Sequence, residues 1–271
     1  MGTLRITILG CGSSGGVPRI DGDWGVCDPN EPKNRRTRCG LLVQRWRGAS
    51  GADADATTVL IDTAPELRDQ LIAAQVKHVD GIVFTHAHAD QTHGIDDVRA
   101  FALLQRKRLP VWMDAPTRDA LIKRFGYCFH GAGAYRPILE DVGDIRVGES
   151  FDVAGPGGAI SFLPMLQEHG PIMSLGFRFG ACAYSNDVSE LPPASFAPLA
   201  ALDLWIVDAL RYTPHPTHAH LERALGWVER LRPARTILTN MHVDLDYQTL
   251  KRELPAGVEP AFDGMAIELE D

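Results

Sequence analysis

The apolar run GIVFT at residues 81–85 breaks into HAHADQTHG, placing His86, His88 and Asp90 at alternate positions directly behind a strand-like segment. Residues two apart in extended backbone leave the same face, so the two imidazoles can converge on one ion. A hydrolytic site of this kind takes neutral imidazoles for one metal, carboxylates for a second, and a group that bridges ions ~3.5–4 Å apart. The segment 84–97 cannot supply all of these donors, so the rest must arrive from elsewhere in the chain. Three side chains stand where later strands give way to loops: His169 in MLQEHGP, Asp187 in AYSNDVSEL and His242 in LTNMHVDLD.

The strands that would deliver them are legible as short runs rich in β-branched residues. They fall at 5–9, 40–46, 57–62, 81–85, 109–113, 160–165, 174–180, 203–209 and 235–240. Helical patterns lie between several of them, after Ala64, Ile95, Ala115 and Ala219. In the last, Leu221, Ala224, Leu225 and Val228 make a stripe suited to packing on a sheet. The order of strands then helices begins again near Phe151, which predicts an α/β chain of two sheets with helices outside. Long loops are expected at 10–38, 48–56 and 211–218. With 271 residues, 45% of them hydrophobic, there is enough apolar material for one large core. A single domain over residues 1–271 is expected.

Charge narrows the partners. A formal net charge of -8 gives no reason to hold a long nucleic acid, whose binding depends on clustered Lys and Arg. A small substrate is expected instead. The cysteines, Cys11, Cys27, Cys39, Cys128 and Cys182, are odd in number and form no CxxC, which suits a reducing, cytoplasmic setting. No signal peptide or membrane-spanning run is legible. A homodimer is compatible with the sequence.

THAHAD, with IDTAP upstream and EHG, YSND and LTNMH downstream in that order, resembles the metallo-β-lactamase superfamily and its HxHxDH signature. The stretches GCGSSGGVP, HGPIMSLGFRF, SNDVSELP and LPAGVEPAFDGM are similar to its phosphodiesterase branch, particularly the phosphoribosyl cyclic phosphate phosphodiesterases. The resemblance implies a four-layer αββα sandwich with two divalent metal ions, zinc or manganese. It implies that His86, His88 and His169 bind one ion, that Asp187 bridges, and that Asp90 binds the other. The family's last ligand directly follows the LT pair, where this chain has Asn240; His242, the only imidazole there, matches by neighbourhood and not by strict register and is expected to be the last ligand. His218 in HPTHAHLERAL matches the histidine placed beside the substrate as general acid or phosphate clamp, with His215 and His220 as competitors.

Two departures stand out. Gln91 replaces the histidine that closes HxHxDH, and a carboxamide is a harder, poorer donor to transition metals than imidazole. Weaker binding of the second ion, or a preference for manganese or magnesium, follows. His93 lies about 200° around a helix from residue 91, so it is expected to point away, against a neighbouring carbonyl or Asp96, with direct ligation of the second ion as the alternative. Second, an accessory zinc site found in some relatives loses its ligands here: Cys27 stands alone in the first loop and Val243 occupies the histidine position. No structural zinc is expected, and Cys27 and Cys39 read as free thiols.

Asp62 and Asp208 close two strands and are suited either to orient ligand imidazoles through the second ring nitrogen or to cap a turn. Lys33, Arg35, Arg36 and Arg38 offer a phosphate contact, though a solvated loop face is the simpler reading. The function expected is hydrolysis of a small cyclic phosphate or nucleotide through a metal-bridging hydroxide, with His218 and Asp90 in the chemistry. A thioester or lactam hydrolase on the same fold, and a weakly catalytic nucleotide- or metal-binding protein, are the alternatives.

Overall fold

The computed structural model describes residues 2–270, and its backbone contacts divide the chain into two compact units. One unit takes the residues up to Leu9, Gly40–Phe162 and the stretch from Ala266; the other takes Gly10–Cys39 and Leu163–Met265.

The first sheet is made of β1 (Thr3–Gly10), β2 (Gly40–Trp46), β3 (Thr57–Ile61), β4 (Gly81–Val83), β5 (Leu109–Met113), β6 (Leu139–Asp144) and β14 (Met265–Glu270), in the order β14-β1-β2-β3-β4-β5-β6. β2 and β3 pair antiparallel, whereas β3 through β6 run parallel. Parallel neighbours need crossovers, and these are α1 (Leu67–Ala73), α2 (Ala89–Thr92) with α3 (Arg99–Gln105), and α4 (Ala115–His130). Leu60, Ile82, Phe84 and Val111 from the sheet and Leu67, Val98 and Leu121 from the helices share one buried cluster. The Asp114 carboxylate accepts from Thr117 N and fixes where α4 starts, and Phe125 breaks its helical dihedrals at φ -124°.

The second sheet runs β13-β12-β11-β10-β9-β8-β7. Its members are β7 (Phe151–Val153), β8 (Ile160–His169), β9 (Ile172–Phe179), β10 (Cys182–Ser185), β11 (Leu204–Asp208), β12 (Arg235–Thr239) and β13 (Val258–Pro260). β7 to β10 form an antiparallel series, and β10 to β13 run parallel. α5 (Leu221–Leu231) and α6 (Tyr247–Glu253) serve as its crossovers. The buried face of α5 is Leu221, Ala224 and Trp227, with Leu225 and Val228 only half-buried, a rotation of the stripe expected from sequence. In the long first loop, Val17, Cys27 and Val243 form a small core of their own.

Parallel strands place all their carboxyl ends on one edge of a sheet, where ligands of open α/β sheets bind. Asp62 and the His86 loop follow the adjacent β3 and β4; Asp187, Asp208 and Asn240 end or follow β10, β11 and β12. Asp62, Asp187 and Asn240 have φ of 66°, 53° and 60°, a left-handed conformation that Asp and Asn tolerate best. Such strain gathers where side chains must be aimed.

A second polar cluster lies away from those strand ends. His78 Nε2 stands 3.2 Å from Asp80 and 3.0 Å from Ala56 O, and its Nδ1 stands 3.6 Å from Asp53. Hydrogen bonds to Asp53 and Asp80 raise the imidazole to about 10 from its usual 6.5, against burial. A histidine raised on folding stabilises fully below its unfolded pKa and loses that contribution as pH climbs through the folded value. Urea unfolding between pH 6.5 and 10 is therefore expected to show a loss on the order of 1 kcal/mol, the scale of a partly solvated ion pair. His78→Gln should flatten the profile; an unchanged profile would show that this pair does not govern stability.

Candidate metal centre

In the first unit Asp62 accepts from Thr85 N and from Thr85 Oγ1, both at 2.8 Å. The Thr85 hydroxyl has thus spent its proton on Asp62, so at its 3.0 Å contact with His86 Nδ1 it accepts from the ring. That fixes the tautomer and leaves Nε2 as the lone-pair nitrogen, the form a metal takes. Burial pushes the Asp62 carboxyl up to about 8, while the two Thr85 hydrogen bonds pull it down.

The His88 ring meets His86 edge to face at a centroid distance of 4.6 Å, and His88 is exposed where His86 is 2% exposed. Arg124 on α4 donates to the carbonyl of Ala87 between them at 2.5 Å. Asp90 sits in α2, where fully buried Gln91 reaches it through Nε2 at 3.4 Å. Thr63 N bonds to Gln91 O and Gly94 N to Thr63 O. A Cβ on Gly94 would fall 2.2 Å from Ala64 O, which is why THG closes on glycine. His93 turns its ring edge to Phe125 at 5.7 Å, so it packs on the kink of α4 and not on Asp96, whose Oδ1 is engaged by Arg99 at 2.5 Å.

In the second unit His169 is 2% exposed and its Nδ1 lies 2.7 Å from Thr217 O, so Nδ1 donates and Nε2 carries the lone pair. Asp187 Oδ1 stands 3.6 Å from that Nε2 and 3.8 Å from His218 Nδ1, while Asn186 Nδ2 donates to its Oδ2 at 2.6 Å. The donor atoms of His169, Asp187 and His218 all lie within 4.8 Å of one another. The 3.6 Å separation of His169 Nε2 and Asp187 Oδ1 exceeds a hydrogen bond and approaches the ~3.4 Å edge of a tetrahedron with ~2.1 Å bonds. That lone-pair nitrogen and carboxylate fit a divalent cation.

His218 has a further partner. Its Nδ1 is 2.9 Å from Asp208 Oδ2, and Asp208 is fully buried. Burial raises the Asp208 carboxyl, while the charge and hydrogen bond of His218, the Val188 amide and Asn240 lower it. Asn240 Nδ2 lies 3.1 Å from the same Nδ1, but two donors do not bond each other; its amide serves Asp208. His218 therefore forms a dyad with Asp208, which leaves Nε2 as the ring nitrogen that takes up and gives back a proton as the ring passes between imidazole and imidazolium. Asp208 orients an imidazole as sequence suggested; Asp62 does so through Thr85, a link not anticipated although THAHAD spells it out.

His242 stands apart from this group. Its Nε2 is 2.5 Å from Arg19 Nη2 and its Nδ1 is 3.2 Å from Asp244; burial lowers its affinity for a proton. A guanidinium at Nε2 occupies the direction a metal would need. His220 faces Glu222 at 3.9 Å. Among the first-loop cations, Lys33 lies between the rings of Tyr247 and Phe262 at 4.7 and 4.4 Å, and buried Arg36 donates to Leu245 O and His242 O. Both are structural, and the alternative of a phosphate contact or a solvated face missed this. Cys27 Sγ packs on Val243 O at 3.3 Å.

The profile of the beta-lactamase superfamily domain matches residues 57–241, and the chain belongs to that superfamily. A crystal structure described as a new diphosphatase from the PhnP family is 33% identical, covers 99% of this chain and 98% of its own, and superposes with a TM-score of 0.85. The chain thus falls within the superfamily's phosphodiesterase branch, with the α/β fold of the metallo-β-lactamase type. Zn(2+)-bound PqqB from Methylobacterium extorquens shares the fold at 15% identity and a TM-score of 0.73, over 98% of this chain and all of its own. An octanoyltransferase of Porphyromonas gingivalis is 26% identical over 97% of this chain, which spans about half (51%) of that relative's length. Among the described residues no helix is long and apolar enough to cross a membrane.

Proposed function

We propose that the protein is a phosphodiesterase acting on a small cyclic phosphate or nucleotide, working as one catalytic domain with two divalent ions, zinc or manganese. The observation that carries this reading is the Asp208–His218 dyad beside Asp187. A phosphodiester expels an alkoxide, a strong base that needs a proton as it leaves; a thiolate leaves without one. His86, His88 and His169 would hold one ion, Asp187 would bridge, and Asp90 would hold the other. His242 is not carried into this set, because Arg19 stands at its Nε2. When bound, the ions would lower the pKa of water and offset charge on phosphoryl oxygens. The chain's own part is to fix imidazole tautomers through Thr85 and Thr217 and to hold a proton at His218 Nε2.

The likeness to a diphosphatase supports a phosphate substrate, and five free, buried thiols support a reducing compartment. The likeness to an octanoyltransferase makes a thioester the informative comparison. Manganese- or zinc-loaded protein is expected to turn over bis(p-nitrophenyl) phosphate and to leave acyl thioesters intact. The reverse preference would overturn the reading.

Gln91→His is expected to tighten the more weakly held ion, since it adds a nitrogen donor beside Asp90. Competition with a chromophoric chelator measures this. Unchanged affinity would mean that the side chain at 91 does not face the metal.

A further inference from the structure

β10 pairs with β9 as far as Tyr184 opposite Phe177 and then leaves the ladder. Asn186 and Asp187, which follow, are buried, and Asp187 takes the left-handed conformation at φ 53°. A turn made there removes its carbonyl groups from water and from the sheet, and a buried carbonyl without a partner opposes folding. Two side chains from the neighbouring strands take up these groups. Ser174 Oγ on β9 donates to Asp187 O at 2.7 Å, and Gln167 Nε2 on β8 donates to Asn186 O at 2.9 Å. Gln167 and Ser174 face each other across the β8–β9 ladder, and Gln167 Nε2 also donates to Ser174 Oγ at 3.3 Å. A carbonyl acceptor fixes which end of the Gln167 carboxamide is nitrogen.

Packing alone does not account for a glutamine at this position. Gln167 is 0% exposed, and among the described residues its Oε1 has no partner. An apolar side chain of similar size would fill the space without burying a lone oxygen. Gly176 makes room for the carboxamide, since a Cβ there would fall 2.3 Å from Gln167 Oε1 and 2.9 Å from its Cδ. The turn held in this way carries Asp187. Asn186 Nδ2 fixes Asp187 Oδ2 at 2.6 Å, and Asp187 Oδ1 stands 3.6 Å from the lone-pair nitrogen of His169. Both residues of the turn are thus anchored through their carbonyls, and the direction of the carboxylate follows from that anchoring.

We propose that Gln167 and Ser174 are positioning residues that hold the left-handed turn at Asn186–Asp187 and so aim Asp187 at the metal. This rests on the reading of Asp187 as a metal ligand given above, and not on the identity of the substrate.

The test is zinc titration of the metal-free, full-length protein against a chromophoric chelator, with urea unfolding of each variant alongside. Gln167→Ala and Ser174→Ala should each weaken zinc binding about 10- to 100-fold, the scale of a lost hydrogen-bond partner behind a metal ligand. Ser195→Ala controls for general loosening of the same sheet: Ser195 is 3% exposed, and its Oγ donates to Leu166 O on β8 at 2.6 Å. It should lose comparable stability and keep wild-type zinc affinity. Equal affinities in wild type and both turn variants, or an equal loss in Ser195→Ala, would overturn the proposal.

A double-mutant cycle isolates the contact. Gly176→Ala displaces the Gln167 carboxamide without deleting it, so it should weaken zinc binding in wild type and add little in the Gln167→Ala background. Additive losses would show that Gln167 does not act by the route proposed. Hydrogen exchange of the metal-free protein reads the turn without any ion: amides in 184–190 should exchange faster in Gln167→Ala and Ser174→Ala and at the wild-type rate in Ser195→Ala. Weakening of only one of two zinc equivalents would keep the positioning role and strike the bridge. Wild type that takes up no zinc would strike the ligand reading, and unchanged exchange in both turn variants would overturn the anchoring itself.

Discussion

Alanine at Asp187 is expected to abolish hydrolysis more completely than alanine at Asp90, with a deficit beyond the ~10²-fold scale of a lost proton-transfer group. Asp187 is 2% exposed, its Oδ1 faces both His169 and His218, and its Oδ2 is fixed by Asn186. On the proposed assignment such a carboxylate would serve two ions, whereas Asp90, half-buried on a four-residue helix and within reach of Gln91, would serve one. Asp187→Asn tolerates the same φ of 53° and removes only charge, so it separates loss of ligand from loss of fold. Metal content and turnover should fall together at Asp187. Equal deficits at the two aspartates would count against the bridge.

His218→Ala should keep the metals and slow phosphodiester hydrolysis by roughly 10²-fold or more. Its Nδ1 lies within reach of the His169–Asp187 pair, so a metal role is the rival assignment. The 2.9 Å contact to Asp208 argues against ligation through that atom, because an Nδ1 that donates there has no lone pair for an ion. The deficit should shrink for nitrophenolate leaving groups, which need little protonation. Asp208→Asn should shift the pH profile while sparing metal content. Loss of metal from His218→Ala, or equal slowing of activated and unactivated diesters, would move His218 to the metal shell or to simple phosphate binding.

Much of this was legible in sequence because the relevant signals are local. The β-branched runs that became β2, β5 and β11 end within a residue of their expected bounds. Strands without that signal escaped: β6 reads LEDVGD, and β13 is only VEP. β10, CAYS, is too short to stand out although it delivers Asp187. The helix stripe on α5 was drawn through Leu225 and Val228, but Trp227 took the buried position because it packs near Trp205 at 6.4 Å.

At the proposed site, the motif points to candidate donors but not to what aims them. Thr85 and the carbonyl of Thr217 act through hydrogen bonds whose partners lie 23 and 48 residues away along the chain. His242 read as a ligand by its proximity to Asn240 in sequence. A residue 223 positions away, Arg19, decides its direction instead, which no local pattern encodes.

The most direct test loads purified protein with manganese or zinc and follows metal stoichiometry by mass spectrometry beside turnover of bis(p-nitrophenyl) phosphate. Two equivalents are expected, the second more readily lost, with activity following occupancy and abolished by chelation. Less than one equivalent after loading, or turnover indifferent to chelation, would contradict a metal-dependent phosphodiesterase built on these histidines and aspartates.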